Sequence, residues 1–230
     1  MKKYNSIVLN VPHASIEGLC DSNWALGPAF FSEVKKWTDW YTDYLFGCNH
    51  PDVRMVRAGL SRFVIDTERL LDDPLEAQGQ GIIYTSFQDH RRALLGNEEA
   101  LLRHYYNSHI QQLRNVLTPQ SLLVDCHSFP SSLSDKIDVC LGYNDDWSKP
   151  ADETVQLFVA TFESCGFRVG INEPYSNAIS PECKFHYPSI MVELNKRIYM
   201  DEDTLSLLPE HDKVKTCLHT LYDSLLGSVE

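Results

Sequence analysis

The run Asp125-Cys126-His127-Ser128 sets an acid, an imidazole and a hydroxyl directly after the short apolar stretch Ser121-Leu122-Leu123-Val124. In open α/β sheets, ligands and chemistry gather at the carboxyl ends of strands. An imidazole there can coordinate a metal or move protons, with neighbouring polar groups holding its ring. His13 stands at a second such tip, because Val8-Leu9-Asn10-Val11 reads as a strand stopped by Pro12. Alone, a His after a Pro is ordinary loop surface. Paired with His127 it gives two imidazoles at strand ends, which suit Zn²⁺ if a carboxylate joins them and one position stays open for water. Glu17, four residues on, and Asp39 in Trp37-Thr38-Asp39-Trp40 are the candidate carboxylates. On a helix continuous from Phe30, Asp39 falls beside Lys35 and Asp43 on a solvated face, so spacing leaves that choice open.

Glu193 lies inside Ile190-Met191-Val192-Glu193-Leu194. An acid in an apolar strand needs a partner, Arg197 or another cation, or it stands at a site. A desolvated Glu with a raised pKa suits a general base that activates metal-bound water. Ser61-Arg62-Phe63-Val64-Ile65-Asp66-Thr67-Glu68-Arg69 reads as a strand with an Arg at each end. Arg62, Asp66 and Arg69 form either a structural ion-pair set or a grip on a substrate carboxylate and a developing oxyanion. A metal-free triad of Ser128, His127 and Asp125 is the weaker reading: alternate strand positions do not align one, and no Gly-x-Ser-x-Gly elbow occurs.

The elements that must carry these residues follow from hydrophobic periodicity. Strands are expected at Ile7 to Val11, Val53 to Val56, Arg62 to Asp66, Leu122 to Asp125, Ile137 to Leu141, Phe167 to Ile171 and Ile190 to Leu194. Several are continuously apolar, as in strands covered on both faces. Helical stripes run Phe30-Val34-Trp37-Tyr41-Leu45, Leu101 to Leu117 before Pro119, Val155 to Phe162 before Gly166, and Leu207 to Leu226. Loops are expected at 71–81, 143–152 and 172–188, and long loops in compact domains often bind ligands. Strands alternating with helices predict an α/β fold with a largely parallel or mixed sheet, in one domain over residues 1–230.

Composition narrows the partners. The chain has 230 residues, 43% hydrophobic and 23% charged, which is ordinary globular make-up. A net charge of −12 argues against nucleic acid or an anionic membrane and leaves small molecules, peptides and metal cations. Seven scattered cysteines without a Cys-x-x-Cys are a poor disulfide framework and fit a reducing cytosol. No apolar run reaches the ~20 residues of a membrane span, and no signal peptide is read, so a soluble cytoplasmic protein is expected. Nothing in the composition reads on oligomeric state.

Taken in order, Val-Pro-His13-Ala, Thr-Asp39-Trp, Ser-Arg62-Phe-Val-Ile-Asp66-Thr-Glu-Arg69, Ser-His109, Val-Asp125-Cys-His127-Ser and Val-Glu193-Leu-Asn195-Lys-Arg197-Ile-Tyr199-Met resemble the motif series of the N-formylglutamate amidohydrolase family. The resemblance spans roughly residues 7–203. It implies a three-layer α/β/α sandwich similar to the zinc carboxypeptidase (phosphorylase/hydrolase-like) fold. It also implies a zinc-dependent hydrolase that removes an N-acyl (formyl) group from a small acidic amino acid such as N-formylglutamate. By this resemblance His13, Asp39 and His127 hold one Zn²⁺, with Asp39 preferred over Glu17, and Glu193 is the base. Arg62 stabilises the oxyanion, Arg69, Arg197 and Asn195 face the substrate, and Asp125, His109 and Asp66 support the site. Three places depart from the family pattern: Ser15 stands where the family has Gly, Glu68 where it has Asn, and Ser176-Asn177-Ala178-Ile179 where a glycine-rich stretch is expected after Tyr175. The alternatives are a zinc peptidase or amidase acting on a short peptide or cell-wall fragment, and a non-catalytic relative that binds small acids.

Overall fold

The computed structural model describes residues 3–227. Its strands are β1 (Ser6–Val11), β2 (Val53–Arg57), β3 (Ser86–Phe87), β4 (His90–Arg91), β5 (Ser121–Phe129), β6 (Val139–Gly142), β7 (Val169–Ile171) and β8 (Ser189–Asn195). The main helices are α1 (Pro28–Trp37), α2 (Thr42–Phe46), α3 (Glu98–Leu101), α4 (Asn107–Val116), α5 (Asp152–Ser164) and α6 (His211–Leu226). Six strands make one mixed sheet in the order β2-β1-β5-β8-β6-β7. All neighbours are parallel except β6 against β8. β3 and β4 form a separate two-stranded ribbon.

Side chains alternate across a strand, and that alternation sorts the sheet into two faces. Ile7, Leu9, Leu122, Val124, Cys126, Ile190, Val192 and Leu194 share one core with α2, α5 and α6. On the opposite face Val8 and Leu123 pack with Leu113 and Leu117 beneath α4. The result is an α/β/α sandwich. Further along that second face the character changes. Asn10 and Asp125 are cross-strand partners, as are His127 and Glu193. The polar residues of three strands therefore converge at the carboxyl ends of β1, β5 and β8.

Two expectations about elements are corrected. The segment from Arg62 to Asp66 is not a strand but a run of turns, and its buried carbonyls are met by side chains rather than by a neighbouring strand. Trp24 Nε1 donates to the Phe63 carbonyl at 2.7 Å and Arg92 Nη2 to the Val64 carbonyl at 3.0 Å. Phe63 itself anchors an aromatic cluster with Trp24, Phe30, Tyr84 and Phe87. Nor is the stripe from Phe30 to Leu45 one helix: α1 ends at Trp37, Thr38 is extended, and Tyr41 takes a left-handed φ of 65° that a bulky residue adopts only under tertiary constraint. Trp40 Nε1 donates back to the Lys35 carbonyl at 2.8 Å, and Tyr199 Oη to the Trp40 carbonyl at 2.9 Å. The break turns Asp39 inward. Among the described residues no helix is long and apolar enough to cross a membrane.

Candidate functional site

A cavity of about 380 Å³ opens over the polar ends of β1, β5 and β8. His13, Asp39, Arg62, Glu68, Arg69, His127 and Glu193 line it. Pro12 ends β1 and delivers His13, which is 3% exposed, to the cavity floor. The His13 carbonyl accepts the Asp39 backbone N–H at 3.0 Å, so the α1–α2 break is tied to the strand tip. Asp39 is also 3% exposed, and its Oδ2 lies 3.0 Å from His127 Nδ1 and 3.6 Å from His13 Nδ1. Burial opposes ionisation of Asp39, but the flanking His127 and His13 outweigh it and hold its pKa below the usual carboxylate range. Glu17 is exposed and outside the cavity, which removes it as a ligand.

Each imidazole is backed at its other nitrogen by carboxylates. His13 Nε2 donates to Asp66 Oδ1 at 2.8 Å. His127 Nε2 lies between Glu68 Oε2 at 2.9 Å and Asp125 Oδ1 at 3.1 Å, aligned for a hydrogen bond with neither. A ligating His whose second nitrogen faces a carboxylate is the usual surrounding of a metal ligand. His13 Nδ1, His127 Nε2 and Glu68 Oε2 are buried polar atoms without a hydrogen-bond partner among the described residues. One atom from each of His13, Glu68 and His127 lies within 4.8 Å of the others, so these groups can hold a metal ion. Orphaned buried donors and acceptors are costly in a folded protein unless something completes them. The residues present therefore fit a bound divalent cation. The carboxylate on one side of the pair is Asp39 and on the other Glu68.

Glu193 neighbours His127 in register, is 8% exposed, and its Oε2 has no hydrogen-bond partner. Burial, opposed by His127 and reinforced by Asp39 and Glu68, pushes its pKa up to about 8. Burial and then Asp125 push Glu68 up to about 7. Asp66, fully buried, is the hub of the cationic side. Its Oδ2 accepts from Tyr84 Oη at 2.6 Å and Arg62 Nη2 at 3.2 Å, and lies 3.6 Å from Arg69 Nε. Burial would raise its pKa, but His13, Arg62 and Arg69 hold it well below the ordinary value. Two guanidiniums share this acid, and Arg69 Nη1 also lies 3.7 Å from Asp73 Oδ2.

Not every expected residue meets here. Asn195 Nδ2 donates to the carbonyls of Ser134 and Ile137, and Arg197 reaches the same two carbonyls and Asp138 Oδ1 at 2.7 Å. Neither lines the cavity. The substrate-facing role expected for both is therefore corrected: they fasten the 134–138 loop to the end of β8. Arg197→Met is expected to cost about 1–3 kcal/mol of stability, the loss of charge-assisted bonds, while the KM for substrate stays at its wild-type value; denaturant titration beside kinetics reads both. Burial opposes ionisation of Asp138, but Arg168 and Arg197 lower its pKa to about 2. Against ~3.9 in the unfolded chain, that contribution is complete above about pH 4 and is lost as the pH falls towards 2. Unfolding midpoints along this acid limb should flatten in Asp138→Asn.

Sequence reading passed over Asn10 and Tyr84. Asn10 is a fully buried amide in an apolar strand, the same signal that marked Glu193. Tyr84, in a loop with no motif, gave no such signal. Its ring stacks on Phe87, and its hydroxyl joins Asp66, Arg62 and Arg69.

The sequence profile of the N-formylglutamate amidohydrolase family matches residues 5–200. A crystal structure of N-formylglutamate amidohydrolase from Ralstonia eutropha JMP134 superposes with a TM-score of 0.78 at 19% identity, covering 96% of this chain and 92% of that one. Gene product Atu2144 from Agrobacterium tumefaciens superposes with a TM-score of 0.68 at 16% identity, covering 100% of this chain and 92% of that one. At these identities the two structures speak to the fold. A search of curated protein sequences gives no match. With the profile running through the strand tips that carry His13, His127 and Glu193, the chain belongs to the N-formylglutamate amidohydrolase family and is a hydrolase of C–N bonds.

Proposed function

We propose that the protein is a metal-dependent amidohydrolase, with Zn²⁺ as its ion, that removes the formyl or another small acyl group from an acidic amino acid such as glutamate. The observation that carries this reading is one cavity holding two carboxylate-backed imidazoles, a third carboxylate and a buried Glu. His13, His127 and Asp39 would hold the ion. When bound, it supplies a Lewis acid for the amide carbonyl and lowers the pKa of its water to ~7.

Glu193 would serve as the general base, holding a proton on its buried carboxylate and passing it to the leaving nitrogen. Beside a divalent cation its carboxylate is drawn back towards the ionised form a base requires. Arg62, whose Nε is buried without a hydrogen-bond partner among the described residues, faces the developing oxyanion. Arg69 grips the substrate carboxylate. We place the reaction in a single domain, and the seven cysteines, all free thiols, suit the cytoplasm.

Purified protein is expected to carry about one equivalent of a divalent metal, and His127→Ala to lose it. Formate release from N-formylglutamate, measured against other N-acyl amino acids, tests the substrate. Metal-free protein at full activity would end this reading. A second reading keeps the hydrolase and changes the amide: Glu68 adds an acid to the cavity beside Arg69. Turnover of a short peptide without turnover of formyl substrates would select it.

A further inference from the structure

The arginine side of the cavity is fastened from outside it. The Arg69 guanidinium has only long contacts: Nη2 to Tyr84 Oη at 3.5 Å, Nε to Asp66 Oδ2 at 3.6 Å and Nη1 to Asp73 Oδ2 at 3.7 Å. Polar contacts of that length bind weakly. Its Nε is buried without a hydrogen-bond partner among the described residues. A side chain so loosely tethered goes where its backbone sends it. The backbone over 66–69 is fastened separately at its two ends. Upstream, the Asp66 N–H donates to the Ile82 carbonyl at 2.7 Å and the Glu68 N–H to Asp66 Oδ1 at 3.0 Å. At the other end, Tyr106 Oη donates to the Arg69 carbonyl at 2.8 Å.

Tyr106 reaches that carbonyl through an irregularity in its helix. Between α3 and α4 the chain makes a π-helical turn, Leu102–Tyr106. A regular helix would stack Tyr105 over Leu101 on one face. The wider turn shifts the register instead, so that Tyr105 is 42% exposed while Tyr106, 7% exposed, packs with Ile65 and Ile82. His109 and Leu113 continue the buried stripe at steps of three and four. Single π turns of this kind recur at functional sites. Tyr106 itself does not line the cavity.

We infer that Tyr106 is a positioning residue for substrate binding: its hydroxyl fixes the Arg69 carbonyl and with it the reach of the guanidinium into the cavity. Affinity for an acidic substrate then depends on a residue the substrate never touches. The inference rests on the reading above in which Arg69 grips the substrate carboxylate, and it adds the device that aims the grip.

Tyr106→Phe, Arg69→Met and the double variant, each loaded with Zn²⁺, test it by steady-state kinetics on N-formylglutamate and by calorimetric binding of L-glutamate. Tyr106→Phe keeps the ring and its packing. It is expected to raise KM and the L-glutamate Kd about 3–10-fold, the contribution of one hydrogen bond, with kcat and metal content at wild-type values. Arg69→Met should raise both about 10–100-fold, as for a lost charge-assisted bond. Adding Tyr106→Phe to it should change neither further, because the two residues act as one unit. An unchanged KM in Tyr106→Phe, a loss of metal in that variant, or additive losses in the double variant would each overturn the inference. Wild-type KM and L-glutamate affinity in Arg69→Met would overturn the grip itself. A wild type that neither binds L-glutamate nor turns over N-formylglutamate would overturn the substrate reading, and either result takes the inference with it.

Discussion

Glu193→Gln is expected to keep its metal and its fold and to lose about 10²–10⁴ in kcat, the range for removing a positioned general base. The amide is nearly the same size as the carboxyl and sits between β5 and β6, where Glu193 pairs with His127 and Cys140. Packing is therefore preserved while the proton acceptor is removed. Steady-state formate release beside elemental analysis of the same sample separates the two effects. A variant that turns over at the wild-type rate with metal bound would take Glu193 out of the chemistry. A variant that loses the metal as well would make it a ligand.

Asp66→Asn is the second large effect, and it acts on binding and stability together. Asp66 Oδ1 accepts from His13 Nε2 and from the Glu68 backbone N–H, while Oδ2 accepts from Tyr84 and Arg62. An amide can offer an oxygen to one of these pairs but presents N–H groups to the other. It also leaves two guanidiniums without the acid they share. Breaking a buried ion pair from one side costs about 3–5 kcal/mol, and Arg62 keeps Tyr84 as a contact, so a loss of about 3 kcal/mol is expected. With His13 no longer oriented, metal affinity should fall about 10–100-fold. A denaturation midpoint and a chelator competition at wild-type values would show that Asp66 is not the hub described.

What could be read from the chain alone follows a physical divide. Strand tips were legible: an apolar run that stops at Pro12 or turns polar at Asp125 announces both a strand and its carboxyl end, and the structure puts His13 and His127 in one cavity. Glu193 was legible for the same reason. The inward turn of Asp39 was not, because the apolar stripe from Phe30 to Leu45 has helical spacing on both sides of the break. What ends α1 there is tertiary, namely the Trp40 and Tyr199 bonds and the tie from Asp39 to the His13 carbonyl. The Arg62–Asp66 run misled by its composition, since Phe63, Val64 and Ile65 suit a strand as well as a buried turn. Asn195 and Arg197 sit two and four residues from Glu193, at the last residue of β8 and just beyond it, and both side chains are taken up by the carbonyls of Ser134 and Ile137. Sequence proximity to a site residue carries no direction where a strand is ending.

The period-two sorting of β5 explains how the family drifts so far. Leu122, Val124 and Cys126 need only be apolar and of fitting volume, whereas Asp125 and His127 must keep their parity on the strand and their level against Asn10 and Glu193. Point changes on the apolar face leave that parity untouched, and cores tolerate them when volume is kept. A single-residue insertion within β5 would exchange the faces at one stroke, sending the acid and the imidazole into the apolar core. Evolution along these strands is accordingly free in letters and rigid in counting, which is how a fold can be shared at a TM-score of 0.78 with 19% identity.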